Sequence, residues 1–271
     1  MMKDKIKLIV TDLDGTFLSD DKTVPQINLD AVKACREAGI HVCPCSARNI
    51  GMLSAFIREA GFDGLCMGCN GGLIFHAATG EVFRSVQIAP ELVEPAVRVM
   101  LKYGNKMSAM TNRSSARYGF SKEEMAARKG MSVMEDSGSV ENFINTIREE
   151  CNLLSVWMDH EQHLPLYTDL SDIGDFELSA ADLDHVHIMA GGATKGSACA
   201  AAAEYYGIGP ENIMCFGDGK NDLSMLYYAG VAVAMENGMV QAKEAADYIA
   251  PNNNEGGFGK AVFKLVFGED R

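Results

Sequence analysis

Apolar and polar positions alternate along this chain with the periods of an α/β protein. Lys7 to Thr11 reads as a short apolar strand. Val24 to Ala38 carries Ile27, Ala31, Ala34, Cys35 and Ala38 at helical spacing, with Gly39 as a stop. Ile40 to Cys45 predicts a second strand, Asn49 to Ala60 a second helix closed by Gly61, and Leu65 to Gly68 a third strand. Strands alternating with helices of this length imply a parallel sheet with right-handed crossovers.

The same rhythm returns late. Gly196 to Tyr206 is an alanine-rich helix, Asn212 to Phe216 a strand, Asp222 to Ala229 a helix and Val231 to Met235 a strand. Met239 to Ala246 and Gly259 to Phe267 predict further helices. Between about Phe83 and Met189, short alternating runs such as Leu153 to Met158 mix with helices and polar turns. The expected fold class is α/β: a Rossmann-like parallel-sheet core made of residues 1–82 and 190–271, interrupted by an inserted α+β cap domain over 83–189.

Two segments carry chemistry. Thr11-Asp12-Leu13-Asp14-Gly15-Thr16 follows the first strand directly. In an open parallel sheet, ligands bind beyond the carboxyl ends of the strands, where this loop must sit. Residues i and i+2 point the same way off an extended backbone, and two carboxylates there repel unless a cation or a shared proton joins them. That pattern suits carboxylate attack on phosphorus, with one Asp as nucleophile and its neighbour moving protons. The bland reading is an acidic turn at a strand end. Gly217-Asp218-Gly219-Lys220-Asn221-Asp222 also follows an apolar strand. It reads either as a turn with an Asp helix cap or as a loop of hard oxygen ligands for Mg2+, and the first segment favours the metal.

Two weaker segments fit a phosphate site. Ser46-Ala47-Arg48 follows the second strand, where a hydroxyl and a backbone N–H at a helix start can hold phosphate. Lys195 stands in Gly191-Gly192-Ala193-Thr194-Lys195-Gly196, which has no Walker pattern. A lone lysine there is ordinarily exposed, but its place at the return of the core points to phosphate.

These four pieces, in this order, resemble the haloacid dehalogenase superfamily of phosphohydrolases. The closest likeness is to its Cof-type branch, whose large α/β cap (type IIB) lies between the second and third motifs. Asn237-Gly238, Asn252 to Gly257 and the Asn70-Gly71-Gly72 turn share that likeness. The resemblance implies Asp12 as nucleophile and Asp14 as general acid/base. It implies Ser46 holding the phosphoryl group and Lys195 neutralising the Asp12–phosphate pair. Mg2+ would be bound by Asp12, the main-chain carbonyl of Asp14 and Asp218, with Asn221 and Asp222 in support. Ala47 departs from the branch's usual Thr-Gly-Arg, and Arg48 is placed at the site with it. The implied activity is a Mg2+-dependent phosphatase acting on a small phosphorylated metabolite through a phospho-aspartate. A phosphosugar mutase and a catalytically silent phospho-ligand-binding regulator are the alternatives.

Composition narrows the partners. The 271 residues are 47% hydrophobic and 23% charged, with a net charge of -13. An acidic surface repels nucleic acid and anionic membranes, and no apolar run approaches the length of a membrane span. The expected place is the cytoplasm. Eight cysteines then read as reduced. Cys43 with Cys45, and Cys66 with Cys69 in Cys-x-x-Cys spacing, lie in or beside strand-like runs and read as small buried thiols rather than a zinc site.

Charge is uneven within the insertion. Arg98 to Lys129 holds eight basic and two acidic residues, a net of +6, while Glu135 to Asp184 holds thirteen acidic and one basic, a net of -12. Solvated helix faces are the ordinary explanation. The functional one puts Arg113 and Arg117, beside Ser114 and Ser115, toward the active site to attract an anionic or polyhydroxy substrate, with Lys102 and Arg128 on outer helix faces.

Overall fold

The computed structural model describes residues 2–127, 136–182 and 184–271. Five helices and strands open the chain: β1 (Leu8–Thr11), α1 (Gln26–Glu37), β2 (His41–Pro44), α2 (Ile50–Ala60) and β3 (Leu65–Gly68). There follow β4 (Leu73–His76), β5 (Val82–Ser85), α3 (Pro90–Met100), β6 (Lys106–Met110), β7 (Ser115–Tyr118), α4 (Lys122–Ala127), α5 (Val140–Ile147) and β8 (Leu153–Trp157). Then come α6 (His163–Ser171), β9 (Phe176–Asp182), β10 (His185–Ala190), α7 (Lys195–Tyr206) and β11 (Ile213–Gly217). The chain ends with α8 (Leu223–Tyr228), β12 (Val231–Met235), α9 (Val240–Glu244), β13 (Tyr248–Ala250) and α10 (Gly257–Val262), which runs into a π-helical turn over Phe263–Phe267.

The central sheet is parallel throughout, in the order β13-β12-β11-β1-β2. The inner strands β1, β11 and β12 are buried on both faces, which is why they read as continuous apolar runs. Ile9, Met214, Phe216 and Val233 pack on one side with Phe17, Leu53 and Phe258. Leu8, Val10, Ile213, Cys215 and Ala232 pack on the other, against Ala198, Cys199 and Ala202 of α7 and Met225 and Leu226 of α8. Small side chains let α7 sit close to the sheet.

Two expectations are corrected at their edges. The first helix begins at Gln26, because Pro25 lacks an N–H and keeps its neighbour extended. The third strand joins β2 only through a single parallel bridge, Cys45 to Met67. Its main partner is β4, antiparallel, in a three-stranded sheet β3-β4-β5 that ends at Ser85.

The inserted segment forms a second, antiparallel sheet in the order β7-β6-β8-β10-β9. Met107, Ala109, Leu154, Val156, Val186 and Ile188 cover one face, packed on Val93 and Val97 of α3, Phe143 and Ile147 of α5, and Leu166 and Leu170 of α6. Alternation along each strand turns the intervening residues to the opposite face.

All eight cysteines are buried and free. Burial pushes the Cys35, Cys43 and Cys151 thiols up to about 12, so they are inert, apolar packing groups. Among the described residues no helix is long and apolar enough to cross a membrane.

Candidate active site

The carboxyl ends of β1, β2 and β11 meet at one end of the central sheet, and each delivers one of the sequence motifs there. Asp12 follows β1 and is 7% exposed. Lys195, the first residue of α7, is fully buried and not exposed as a lone lysine in a glycine-rich turn would be. A capping box between Thr194 and Ser197 fixes the start of that helix. The Lys195 ammonium donates to Asp12 Oδ1 at 2.5 Å and to Asp222 Oδ1 at 2.6 Å. Burial opposes its charge, but Asp12 and Asp222 together raise its pKa and keep it protonated.

Asp222 has both carboxylate oxygens engaged. Oδ1 takes Lys195, and Oδ2 accepts the backbone N–H groups of Asp218 and Gly219 at 2.9 and 2.8 Å. It therefore shapes the loop and holds the lysine. Asp218 Oδ1 accepts the Thr16 hydroxyl at 2.7 Å, which ties the loop after β11 to the loop after β1. Burial, and then Asp222, push the Asp218 carboxyl up to about 6. Burial also pushes Asp12 up, against the pull of Lys195.

Gly15 explains how close the two loops come. Its φ is +85°, and a Cβ there would lie 2.6 Å from Asp218 Oδ2. Asn237 Nδ2 donates to Gly15 O at 2.7 Å, Asn253 N donates to Asn237 Oδ1, and Met239 N donates to Asp218 O. The polar segments near the C-terminus thus brace the acidic loops from outside.

Oxygens of Asp12, Asp218 and Asp222 lie within 4.8 Å of one another. Three carboxylates facing one lysine leave an excess of about two negative charges. Hard oxygen donors with that charge suit a small divalent cation, so the cluster fits a metal ion. The Asp14 carboxylate turns away from it. Arg48 Nη2 donates to both its oxygens at 2.8 and 3.0 Å, and Lys22 Nζ to one at 2.8 Å. Burial raises the Asp14 pKa, but Arg48 and Lys22 outweigh that and lower it.

Ser46 is buried at the end of β2, with its hydroxyl accepting Arg48 N at 3.4 Å. Asp12, Asp14, Ser46, Ala47, Arg48, Asp218 and Asn221 all border a cleft of about 590 Å³ between the parallel sheet and the inserted one. Lys195 underlies Asp12 and lines a smaller recess behind, of about 220 Å³, with Asn221 and Lys220.

The two cap arginines separate. Arg113 is exposed, donates to Gly80 O at 2.5 Å and does not border the cleft, so it fastens the β4–β5 turn. Arg117 on β7 is 5% exposed, stacks over Phe120 and lines a recess of about 130 Å³ that continues the cleft through Met52, Met110, His185 and His187. Lys102 lies just past α3 and pairs with Asp169 of α6 at 2.9 Å. Arg128 falls outside the described residues.

The contacts of several residues near the cleft were not legible in the sequence. Lys22 reaches Asp14 only because the turn from Ser19 to Thr23 folds back. Asn70, buried with φ +52°, accepts from Asn221 Nδ2 at 3.2 Å and donates to His187 Nδ1 at 2.9 Å. Its turn was legible, but its aim was not.

A family model of haloacid dehalogenase-like hydrolases matches residues 9–262. The chain belongs to the haloacid dehalogenase-like hydrolases. This hydrolase is similar to a 5-amino-6-(5-phospho-D-ribitylamino)uracil phosphatase of Bacillus subtilis strain 168, 26% identical over 97% of this chain and 100% of the relative. It is similar to a phosphoglycolate phosphatase of Methanoculleus marisnigri at 25%, over 96% of each chain. Its fold matches a haloacid dehalogenase-like hydrolase from Bacteroides thetaiotaomicron with a TM-score of 0.82, at 24% identity over 96% of this chain and 100% of the other. It matches a subclass IIB sugar phosphatase of the same superfamily with a TM-score of 0.84, at 23% identity over 97% and 99%.

Proposed function

We propose that this hydrolase is a Mg2+-dependent phosphatase that cleaves a small phosphorylated metabolite through a phospho-aspartate on Asp12. The observation that carries the reading is the buried Lys195 ammonium held between Asp12 and Asp222 at the floor of the cleft. A carboxylate nucleophile repels a phosphate dianion, and a fixed cation beside it offsets that repulsion. The phosphatase names of the curated relatives support the same reaction class.

Asp12 attacks phosphorus, and the alcohol oxygen leaves with a proton from Asp14. Water then attacks the phospho-aspartate and gives its proton to Asp14. Arg48 and Lys22 hold the resting Asp14 as the carboxylate that the second step needs. An arriving phosphate competes for the same two cations, and their withdrawal lets Asp14 take up from solvent the proton that the first step spends. The proton gained from water in the second step returns to solvent when Arg48 and Lys22 engage Asp14 again. The Ser46 hydroxyl and the N–H groups beside it hold the phosphoryl oxygens, and Asn221 borders them. Asp12, the Asp14 carbonyl and Asp218 would hold the metal, with Asp222 in support. When bound, Mg2+ supplies positive charge that stabilises the phosphoryl group during transfer.

Phosphate release from a panel of sugar, alditol, nucleoside and short-acid phosphates tests the reading. Hydrolysis in Mg2+, loss after chelation and loss in Asp12→Asn are expected. Free phosphate without an isomeric ester separates a phosphatase from a mutase. Full activity in Asp12→Asn would overturn the assignment.

A further inference from the structure

The inserted sheet carries one polar row across all five strands. Arg117 on β7 is opposite Ser108 on β6, Ser108 is opposite Ser155 on β8, Ser155 opposite His187 on β10, and His187 opposite Ser179 on β9. Their sequence neighbours Met107, Val156, Val186 and Ile188 face the helices, so this row faces the cleft. Arg117, Ser108, Ser155 and His187 line its recess together. Trp157 and His185, stacked at 5.0 Å, form the next row beside it.

Within the row, His187 is tied by a hydrogen bond to Asn70 of the parallel-sheet half. Asn70 Oδ1 accepts from Asn221, so the group facing His187 is the Asn70 amide NH2, a donor. His187 Nδ1 must then accept, and a neutral imidazole that accepts at Nδ1 carries its proton on Nε2. Burial keeps the ring neutral, with its pKa lowered to about 3. Cys69 and Asn70 both sit at positive φ, +50° and +52°, to deliver that amide. Non-glycine residues in this region cost energy and persist where the surroundings impose them.

We propose that His187 is a specificity-determining residue. Its Nε2–H donates to a hydroxyl or carbonyl oxygen of the leaving alcohol, and Asn70 is the positioning residue that sets this tautomer. The ligand class is a phosphomonoester whose leaving group bears oxygen acceptors along the polar row. The inference rests on the phosphatase reading above.

The test compares kcat/KM for the best hydroxylated ester in a panel of pentose, hexose and alditol phosphates with kcat/KM for p-nitrophenyl phosphate. In His187→Leu the ratio should fall about tenfold or more, through KM for the hydroxylated ester, and His187→Gln, which keeps an N–H donor, should recover most of it. Nitrogen NMR of the wild type should show the Nε2–H tautomer at His187, and Asn70→Asp, an acceptor, should convert it to Nδ1–H and lower the ratio. A ratio within about twofold of wild type in His187→Leu overturns the inference. So does an Nδ1–H tautomer in the wild type. Hydrolysis of p-nitrophenyl phosphate in either case leaves the phosphatase reading standing. No hydrolysis of any ester by wild type overturns both.

Discussion

Lys195 Nζ and Asp12 Oδ1 meet at 2.5 Å with both side chains out of solvent. They are 183 residues apart in sequence, so the contact closes the two ends of the chain on each other. Removing one partner of a buried ion pair leaves the other charge uncompensated, which costs about 3–5 kcal/mol. Lys195→Met is expected to lose activity and about that much stability in urea, and Lys195→Met with Asp12→Asn to regain part of the stability but no activity. Unchanged stability in Lys195→Met would remove the pair from the fold's support.

Gly15 and Asp218 approach so closely that a side chain between them must displace one. Gly15→Ala combines a positive φ with a 2.6 Å clash against Asp218 Oδ2. A cost of about 1–3 kcal/mol is expected from the backbone conformation, together with a weaker Mg2+ requirement curve, shifted to higher concentration. Measuring activity against Mg2+ in the two proteins decides it.

The acidic cluster should make stability depend on the metal. Three carboxylates against one lysine repel in the apo state, and an ion that binds only the folded protein adds about 2.7 kcal/mol at one hundred times its Kd. Tm is expected to rise with Mg2+ in wild type. Asp218→Ala should abolish both that rise and the activity. A wild-type Tm indifferent to Mg2+, with full activity in a chelator, would count against a metal site.

His187 makes acid stability testable. Its pKa is lowered to about 3 by burial, first of all, and then by His185 and Lys195, whereas an unfolded histidine titrates near 6.5. The unfolded chain therefore binds a proton that the native one refuses between those values. Stability from this group is complete above about pH 6.5 and falls by as much as about 1.4 kcal/mol per pH unit below it. The Asp12 and Asp218 carboxyls, raised in the folded state, act in the opposite sense. The difference between wild type and His187→Gln, followed by urea unfolding from pH 7 to 5, isolates the histidine. A constant difference would show that the ring titrates at the same pH in the native and unfolded states, and so is not buried neutral.

Much of this protein was written in local pattern. The apolar runs of β1, β2, β11 and β12 and the helical spacing of α1, α2 and α7 announce a parallel α/β sheet, because strands buried on both faces need continuous apolar residues. Asp12, Asp14, Asp218 and Asp222 were legible because each motif follows such a strand, and strand ends in a parallel sheet share one edge. What the residues could not state was which partners the two halves would bring. Asp14 could have faced the acidic cluster, but Arg48 and Lys22 turn it away. Arg113 and Arg117 stand four positions apart with similar local sequence, yet one leaves for Gly80 and the other enters the recess. His187 had no signal at all, because its neighbours Asn70, Ser155 and Ser179 come from three separate stretches of chain. Periodicity is a property of consecutive residues, so it determined the elements and the edge where the carboxylates gather. Pairing across β6, β8 and β10, and the packing of the inserted sheet over the parallel one, decided which side chains meet there.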